Sequence, residues 1–306
     1  MSTAYPALVL PARRCSWRQG LGRALATGLV FALTSMGQAG GLKIVASFYP
    51  IYIAALNVAG GISGVEVISL TKPLAGCLHD YQLTPRDLVT LDQADIFIVN
   101  GAGIETFLDK ARQQAPKVKL IQASEGIALI SSAGAVNPHV WVSITLHMRQ
   151  VETISTHLSR LDPEHAAAFR QNAREYLAKL EALRAAMHSG LQNIADRNII
   201  TFHEAFPYFA HEFGLTVVAV IEREPGAEPK ASELAQTITL VKRSGVKAIF
   251  AEPQYSAAAA DLIARETGAR VYRLDPIVSG PPRADAYLTI MQENLRTLQQ
   301  ALDEND

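Results

Sequence analysis

Cysteine is nearly absent: Cys15 and Cys77 are the only two in 306 residues. Cys15 lies in an N-terminal stretch that reads as removable, so an internal disulfide is excluded in the mature chain and packing alone must stabilise it. Cys15 also precedes the apolar run of that stretch, which excludes it as the lipid-bearing cysteine that follows a lipoprotein signal. Charge of one sign is lacking as well, with 28 Lys+Arg against 29 Asp+Glu. There is no basic block and no basic–aromatic interleaving, so nothing calls for a nucleic-acid partner. Local metal and hydrolase signatures such as C-x₂-C or H-E-x-x-H are missing too. No apolar run is long enough to span a membrane; the longest, Ala24 to Met36, falls short.

What that stretch contains points to export. Arg13, Arg14, Arg18 and Arg23 precede the apolar run, and Gly37-Gln38-Ala39 sets small residues at −3 and −1 before Gly40. Residues 1–39 are expected to be a cleaved signal peptide that delivers a soluble, monomeric protein to the periplasm. A retained membrane helix fits the small-residue ending less well. Arg13-Arg14 raises twin-arginine export, but Cys15-Ser16-Trp17 stands where apolar residues belong.

Beyond residue 40, short apolar runs alternate with amphipathic ones. Strands are expected at Leu42–Ser47, Val65–Leu70, Ile96–Asn100 and Lys119–Ala123, then at Asn198–Phe202, Leu215–Val220, Ala248–Ala251 and Arg270–Leu274. Helices are expected at Pro50–Ala59, Glu105–Ala115, Ser232–Ser244 and Ser256–Thr267, with Gly245 and Gly268 as C-terminal stops. Near-continuous apolar strands alternating with helices imply parallel sheets covered on both faces. Between the two sets, Pro163 to about Ile194 reads as one helix, with Asp162 as N-cap and Pro163 in the first position. At 1.5 Å per residue it would run ~45–50 Å, its stripe of Leu177, Leu180, Leu183 and Met187 packing against the lobes. The expected class is α/β: two small lobes, 40–162 and 195–306, each a mainly parallel four-stranded sheet with helices on both faces, joined by a long helix at 163–194.

Four residues carry chemistry at loop positions: His79, His139, His203 and Asp275. His203 and Asp275 each directly follow a strand, at the edge where open parallel sheets bind ligands. Three imidazoles and a carboxylate suit zinc in tetrahedral geometry, whereas manganese favours more oxygen. The gaps between them match no local zinc signature, and a lone loop histidine usually faces solvent or backbone. Pro138 stiffens the segment carrying His139. Cys77 and Glu252 are reserve donors or outer partners of the same site, Glu252 alternatively capping the next helix. His147, His157, His165 and His188 read as polar helix surface, and His211 as packing. With four protein ligands, an open catalytic position is not expected. Glu204 beside His203 is the sole general-base candidate for a zinc hydrolase.

In the order GCLHDYQLTPRDL, NPHVW, TFHEAFPYFAHEFGL, EPGAEPKASELAQTI, AIFAEPQ and RLDP, the chain resembles the zinc- and manganese-binding solute-binding proteins of ABC transporters (cluster A-I) from about Leu42 to Leu302. The resemblance implies two α/β lobes joined by one long helix, with a metal buried between them on His79, His139, His203 and Asp275. It implies a Zn2+ cargo, with Mn2+ or Fe2+ as the alternative, and a permease of an ABC importer as partner, with no enzymatic activity. Surface adhesion is a further alternative. Two departures stand out. Residues 125–136 hold no histidine where many zinc-specific members carry a histidine-rich loop. Val142-Ser143-Ile144 follows Trp141 where the family often has Leu-Asp-Pro, so a carboxylate that could orient His139 is not supplied there.

Overall fold

The computed structural model describes residues 41–71, 78, 81–132, 135–221, 230–254 and 256–303. The expected signal peptide, His79 and Cys77 lie outside the described residues. The first sheet is built from β1 (Leu42–Ala46), α1 (Tyr49–Ala59), β2 (Val65–Ser69), α2 (Pro85–Asp92), β3 (Ile96–Val99), α3 (Leu108–Gln114) and β4 (Lys119–Gln122). Its strands are all parallel, in the order β2-β1-β3-β4. A short hairpin, β5 (Ser131–Ser132) and β6 (Ala135–Val136), leads to a 3-10 turn at Val140–Val142 and then to α4 (Ile144–Leu161) and α5 (Ala166–Gly190). The second sheet follows with β7 (Asn198–Thr201), α6 (Pro207–Phe213), β8 (Thr216–Val220), α7 (Ala231–Ser244), β9 (Ala248–Ala251), α8 (Ala258–Thr267), β10 (Arg270–Arg273) and a closing α9 (Ala286–Leu302). Its order is β10-β9-β7-β8, again all parallel. The α/β class is as expected, and all eight expected strands are present, each within a residue or so of its expected bounds.

The apolar strands lie where a parallel sheet buries both faces. β3 and β9 are buried at every position, whereas the edge strands β4 and β10 expose their end residues. Gly245 and Gly268 end α7 and α8 in the left-handed region, at φ 67° and 78°. A side chain there would be strained, which is why glycine stops these helices.

The long helix is shorter than expected. α5 has 25 residues, about 37 Å at 1.5 Å per residue. Asp162 ends α4 instead of capping α5, and its carboxylate takes the His165 ring nitrogen at 2.6 Å and the His165 amide at 3.4 Å. That local bond closes a turn over residues 163–165 and delays the helix to Ala166. Along α5, Phe169, Ala173, Tyr176, Leu180, Leu183 and Met187 form one buried face, at the spacing that places side chains on one side of a helix. Leu177 is only partly buried at its margin.

One hydrophobic cluster runs from β1 and β3 through α4, α5 and α9 to Ile199, Phe250 and Leu274 of the second sheet. A separate, smaller cluster packs Ile200, Ile249 and Phe202 beneath Val241 and Ile263 of α7 and α8. Among the described residues the two sheets therefore share one core, and a second, smaller cluster belongs to the second sheet. His147 departs from its expected surface position. It is fully buried on α4, stacked on Tyr287 with ring centroids 4.0 Å apart, its Nε2 3.2 Å from the Tyr176 hydroxyl. Burial pushes its pKa down to about 3, so it is a neutral core residue at physiological pH.

Candidate metal centre

The loop after the β5–β6 hairpin carries His139, which is 2% exposed, and the loop after β7 carries His203, which is 1% exposed. The structure brings these two, 64 residues apart, ring to ring: their centroids are 4.8 Å apart and their planes 82° to one another. His139 also leans on Trp141, at 5.2 Å.

His139 is held by an asparagine two residues before it. Asn137 Oδ1 accepts the His139 amide at 3.0 Å and lies 3.0 Å from His139 Nδ1. Asn137 Nδ2 donates to the Glu204 carbonyl, next to His203, and the Tyr208 hydroxyl donates to the Asn137 carbonyl, both at 2.8 Å. The carboxylate absent after Trp141 is thus replaced by a neutral amide from the other side of His139. Asparagine side chains commonly bond the backbone two residues on, so the local turn was legible in the NPHVW motif, whereas the ring contact and the link to Glu204 required the fold.

The same segment is supported from below by the first sheet. Asn100, directly after β3, donates to the Pro138 carbonyl at 3.0 Å and accepts Gln150 Nε2 from α4 at 2.8 Å. Beneath it the buried Glu105 carboxylate accepts Ser47 Oγ–H at 2.8 Å, the Asn100 amide at 2.7 Å and the Gly101 amide at 3.0 Å. Burial pushes the Glu105 pKa up to about 7, with those three donors opposing the rise.

On the second sheet, Glu252 directly follows β9 and Asp275 comes two residues after β10, so both stand at the carboxyl edge with His203. Glu252 Oε1 is 3.2 Å from His203 Nδ1. Glu252 is 3% exposed, yet neither carboxylate oxygen has a hydrogen-bond partner among the described residues, and it does not cap α8. Asp275 Oδ1 accepts the Ile277 amide at 2.8 Å and Gln254 Nε2 at 3.1 Å. Asn294 of α9 brackets the Asp275 backbone, accepting its amide at 2.9 Å and donating to its carbonyl at 2.8 Å. Burial pushes the Asp275 pKa above its ordinary value; the Ile277 amide and Gln254 pull it down, and the Glu252 charge pushes it up. Ile277 sits at φ 61°, a costly conformation for a β-branched residue, held by full burial and by the bond to Asp275.

Among the described residues no group of three or more His, Cys, Asp or Glu side chains is placed to hold a metal ion. Of the expected donors, the structure brings His139 and His203 together with Glu252 against His203, and Asp275 stands on the same edge of the second sheet as Glu252. His79, which completes the expected set, lies outside the described residues.

Residues 44–301 match the family model described as ZnuA, zinc-uptake complex component A periplasmic. The chain belongs to this family. Within the zinc-uptake component A family, the matched span opens in β1 and closes in α9, so it takes in both sheets and each candidate donor. The zinc-binding lipoprotein AdcA of Streptococcus pneumoniae is 30% identical over 297 residues, covering 89% of this chain and 58% of that protein. The chain thus spans little more than half the length of that relative. The high-affinity zinc uptake system protein ZnuA of Bacillus subtilis is 29% identical, covering 85% of this chain and 88% of its own. Among solved structures, the SBP FpvC from Pseudomonas aeruginosa in complex with Mn2+ superposes with a TM-score of 0.80 at 33% identity, over 87% of this chain and 99% of that one.

Proposed function

We propose that this chain is the capture component of an ABC importer. It takes up a divalent transition metal, Zn2+ first, between two lobes in the periplasm and passes it to a membrane permease. The observation that carries this reading is the buried approach of His139 to His203 beside the buried Glu252 carboxyl group. Protein ligands from both sheets would make the site a cargo clamp. The four ligands assigned are His79, His139, His203 and Asp275, with Glu252 as outer partner of His203 and Cys77 in reserve. Among the described residues the side-chain hydrogen bonds of Asp275 fall on Oδ1, so Oδ2 is the oxygen assigned to the metal. The lobes are assigned to residues 40–162 and 195–306, bridged by 163–194, with residues 1–39 removed on export and the mature chain acting as a monomer.

A nitrogen-rich set favours zinc over manganese. The two carboxylates, together with a manganese-bound relative at 33% identity, keep Mn2+ as the second cargo. Purified without added metal and examined by native mass spectrometry, the chain should bind one Zn2+ and release it to Mn2+ only at large excess. His139→Ala and His203→Ala should each weaken zinc binding by more than the ~10- to 100-fold typical of outer-layer changes. Unchanged affinity in either variant removes that histidine from the site. Turnover of ester or peptide substrates would overturn the binding-protein reading in favour of a hydrolase.

A further inference from the structure

The residue holding His139 is an amide, and both of its side-chain polar atoms are engaged, one by His139 and one beside His203. Oδ1 faces the His139 amide and Nδ1 at 3.0 Å. An amide oxygen can only accept, so the His139 nitrogen facing it carries the proton. The neutral ring is then the Nδ1–H tautomer, and the lone pair lies on Nε2. Nδ2 donates to the Glu204 carbonyl at 2.8 Å, one residue beyond His203. The backbone of the same residue is fastened at both ends. Its amide donates to the Ile130 carbonyl at 2.9 Å, and its carbonyl accepts the Tyr208 hydroxyl of α6, which in turn accepts the Ile130 amide at 2.8 Å.

We propose that Asn137 is the positioning residue of the metal site: its side-chain oxygen selects the His139 tautomer that turns Nε2 to the metal, and its side-chain nitrogen locks the His139 loop to the His203 loop across the cleft. This rests on the reading of His139 as a ligand. Such a lock sets the spacing of two imidazoles before metal arrives, so less ordering is left for the binding step. Being neutral, the amide orients the ring without adding a third carboxylate to a cleft that already holds Glu252 and Asp275.

The test separates the two atoms. Asn137→Ala removes both functions. Asn137→Asp keeps the acceptor for His139 and loses the donor to Glu204. Zinc affinity is read by competition with a chelator. The tautomer is read by ¹⁵N NMR of histidine-labelled, zinc-free protein at about pH 8, above the ordinary histidine range, with His139→Ala supplying the assignment. N137A should lose ~10- to 100-fold in zinc affinity and release His139 from the Nδ1–H form. N137D should keep that form and recover part of the affinity. Wild-type affinity in N137A, or an unchanged tautomer, overturns the proposal. Should N137A fail to fold, N137D decides alone: loss of the Nδ1–H form there overturns it, and its persistence with weakened zinc binding supports it. Full zinc affinity in His139→Ala would instead overturn the ligand reading beneath it.

Discussion

His139 and Glu252, on the two sides of His203, are held in different ways. On the first-sheet face, the segment around His139 is hydrogen-bonded at successive levels, from Glu105 through Asn100 to Pro138 and Asn137. On the second-sheet face, Glu252 is buried against His203 with both oxygens lacking a hydrogen bond among the described residues. A buried charged group without a hydrogen bond costs ~1–3 kcal/mol or more. The His139 segment is therefore fixed by its own hydrogen bonds, whereas the Glu252 carboxyl group is buried without them. The contrast teaches that neighbouring candidate donors can be preset to different degrees, His139 by the hydrogen bonds around it and Glu252 by its contact with His203.

Changes on the two faces should behave differently, and pH gives the largest difference. Glu105 lies above its ordinary value of 4.5, at about 7 in the folded chain. An acid whose pKa is raised by folding contributes stability below the unfolded value and loses it as pH rises through the folded value. Between about pH 4.5 and 7 this group should take away about 3 kcal/mol. Denaturant melts of wild type and Glu105→Gln across that range should diverge, with the variant flatter. Parallel curves would mean that the Ser47, Asn100 and Gly101 donors hold Glu105 ionised throughout.

Next in size, Glu252→Gln should do two things of opposite sign. It should raise the melting temperature of the metal-free protein, by replacing a buried carboxyl group that lacks hydrogen bonds among the described residues, and weaken zinc by ~10- to 100-fold. A fall in both would place Glu252 with the hydrogen-bonded face and erase the contrast.

A smaller effect is expected where the faces join. Glu212 of α6 caps α4, accepting Ser143 Oγ–H at 2.5 Å and Thr145 Oγ1–H at 2.6 Å. Glu212→Ala should cost about 1 kcal/mol, as loss of a helix cap does, lowering Tm by ~2–4 °C. No shift would leave the joint to apolar packing alone. The smallest effect is on shape. Trp141 Nε1–H donates to the Pro276 carbonyl and Tyr287 Oη–H to the Trp141 carbonyl, and one core runs through both sheets. Small-angle scattering should therefore show no change in radius of gyration on adding zinc. A large fall would reveal a hinge that these bonds do not permit.

The strands were legible because period and composition are local properties: Ile96–Val99 and Ala248–Ala251 are apolar throughout and could only be buried. The approach of His139 to His203 was not fixed by spacing: their places after expected strands allowed it, and the resemblance to a family strengthened it. His147 was expected on a helix but on its polar surface, and its burial depends on partners from two other helices. Nothing local placed that ring against Tyr176 and Tyr287. Asp162 was misassigned because a good capping residue serves equally to close a turn, and the histidine three residues on decided which. The roles of Asn294 and Glu212 rest on contacts between segments 19 and 67–69 residues apart, which no local pattern encodes.

The central claim is that His139 and His203 jointly grip the metal. Anomalous diffraction at the zinc edge from zinc-loaded crystals tests it most directly. One peak is expected at roughly 2.0–2.1 Å from Nε2 of both rings, with Asp275 Oδ2 as a further neighbour. A peak bound to one of these histidines alone, or lying away from both, would contradict the account.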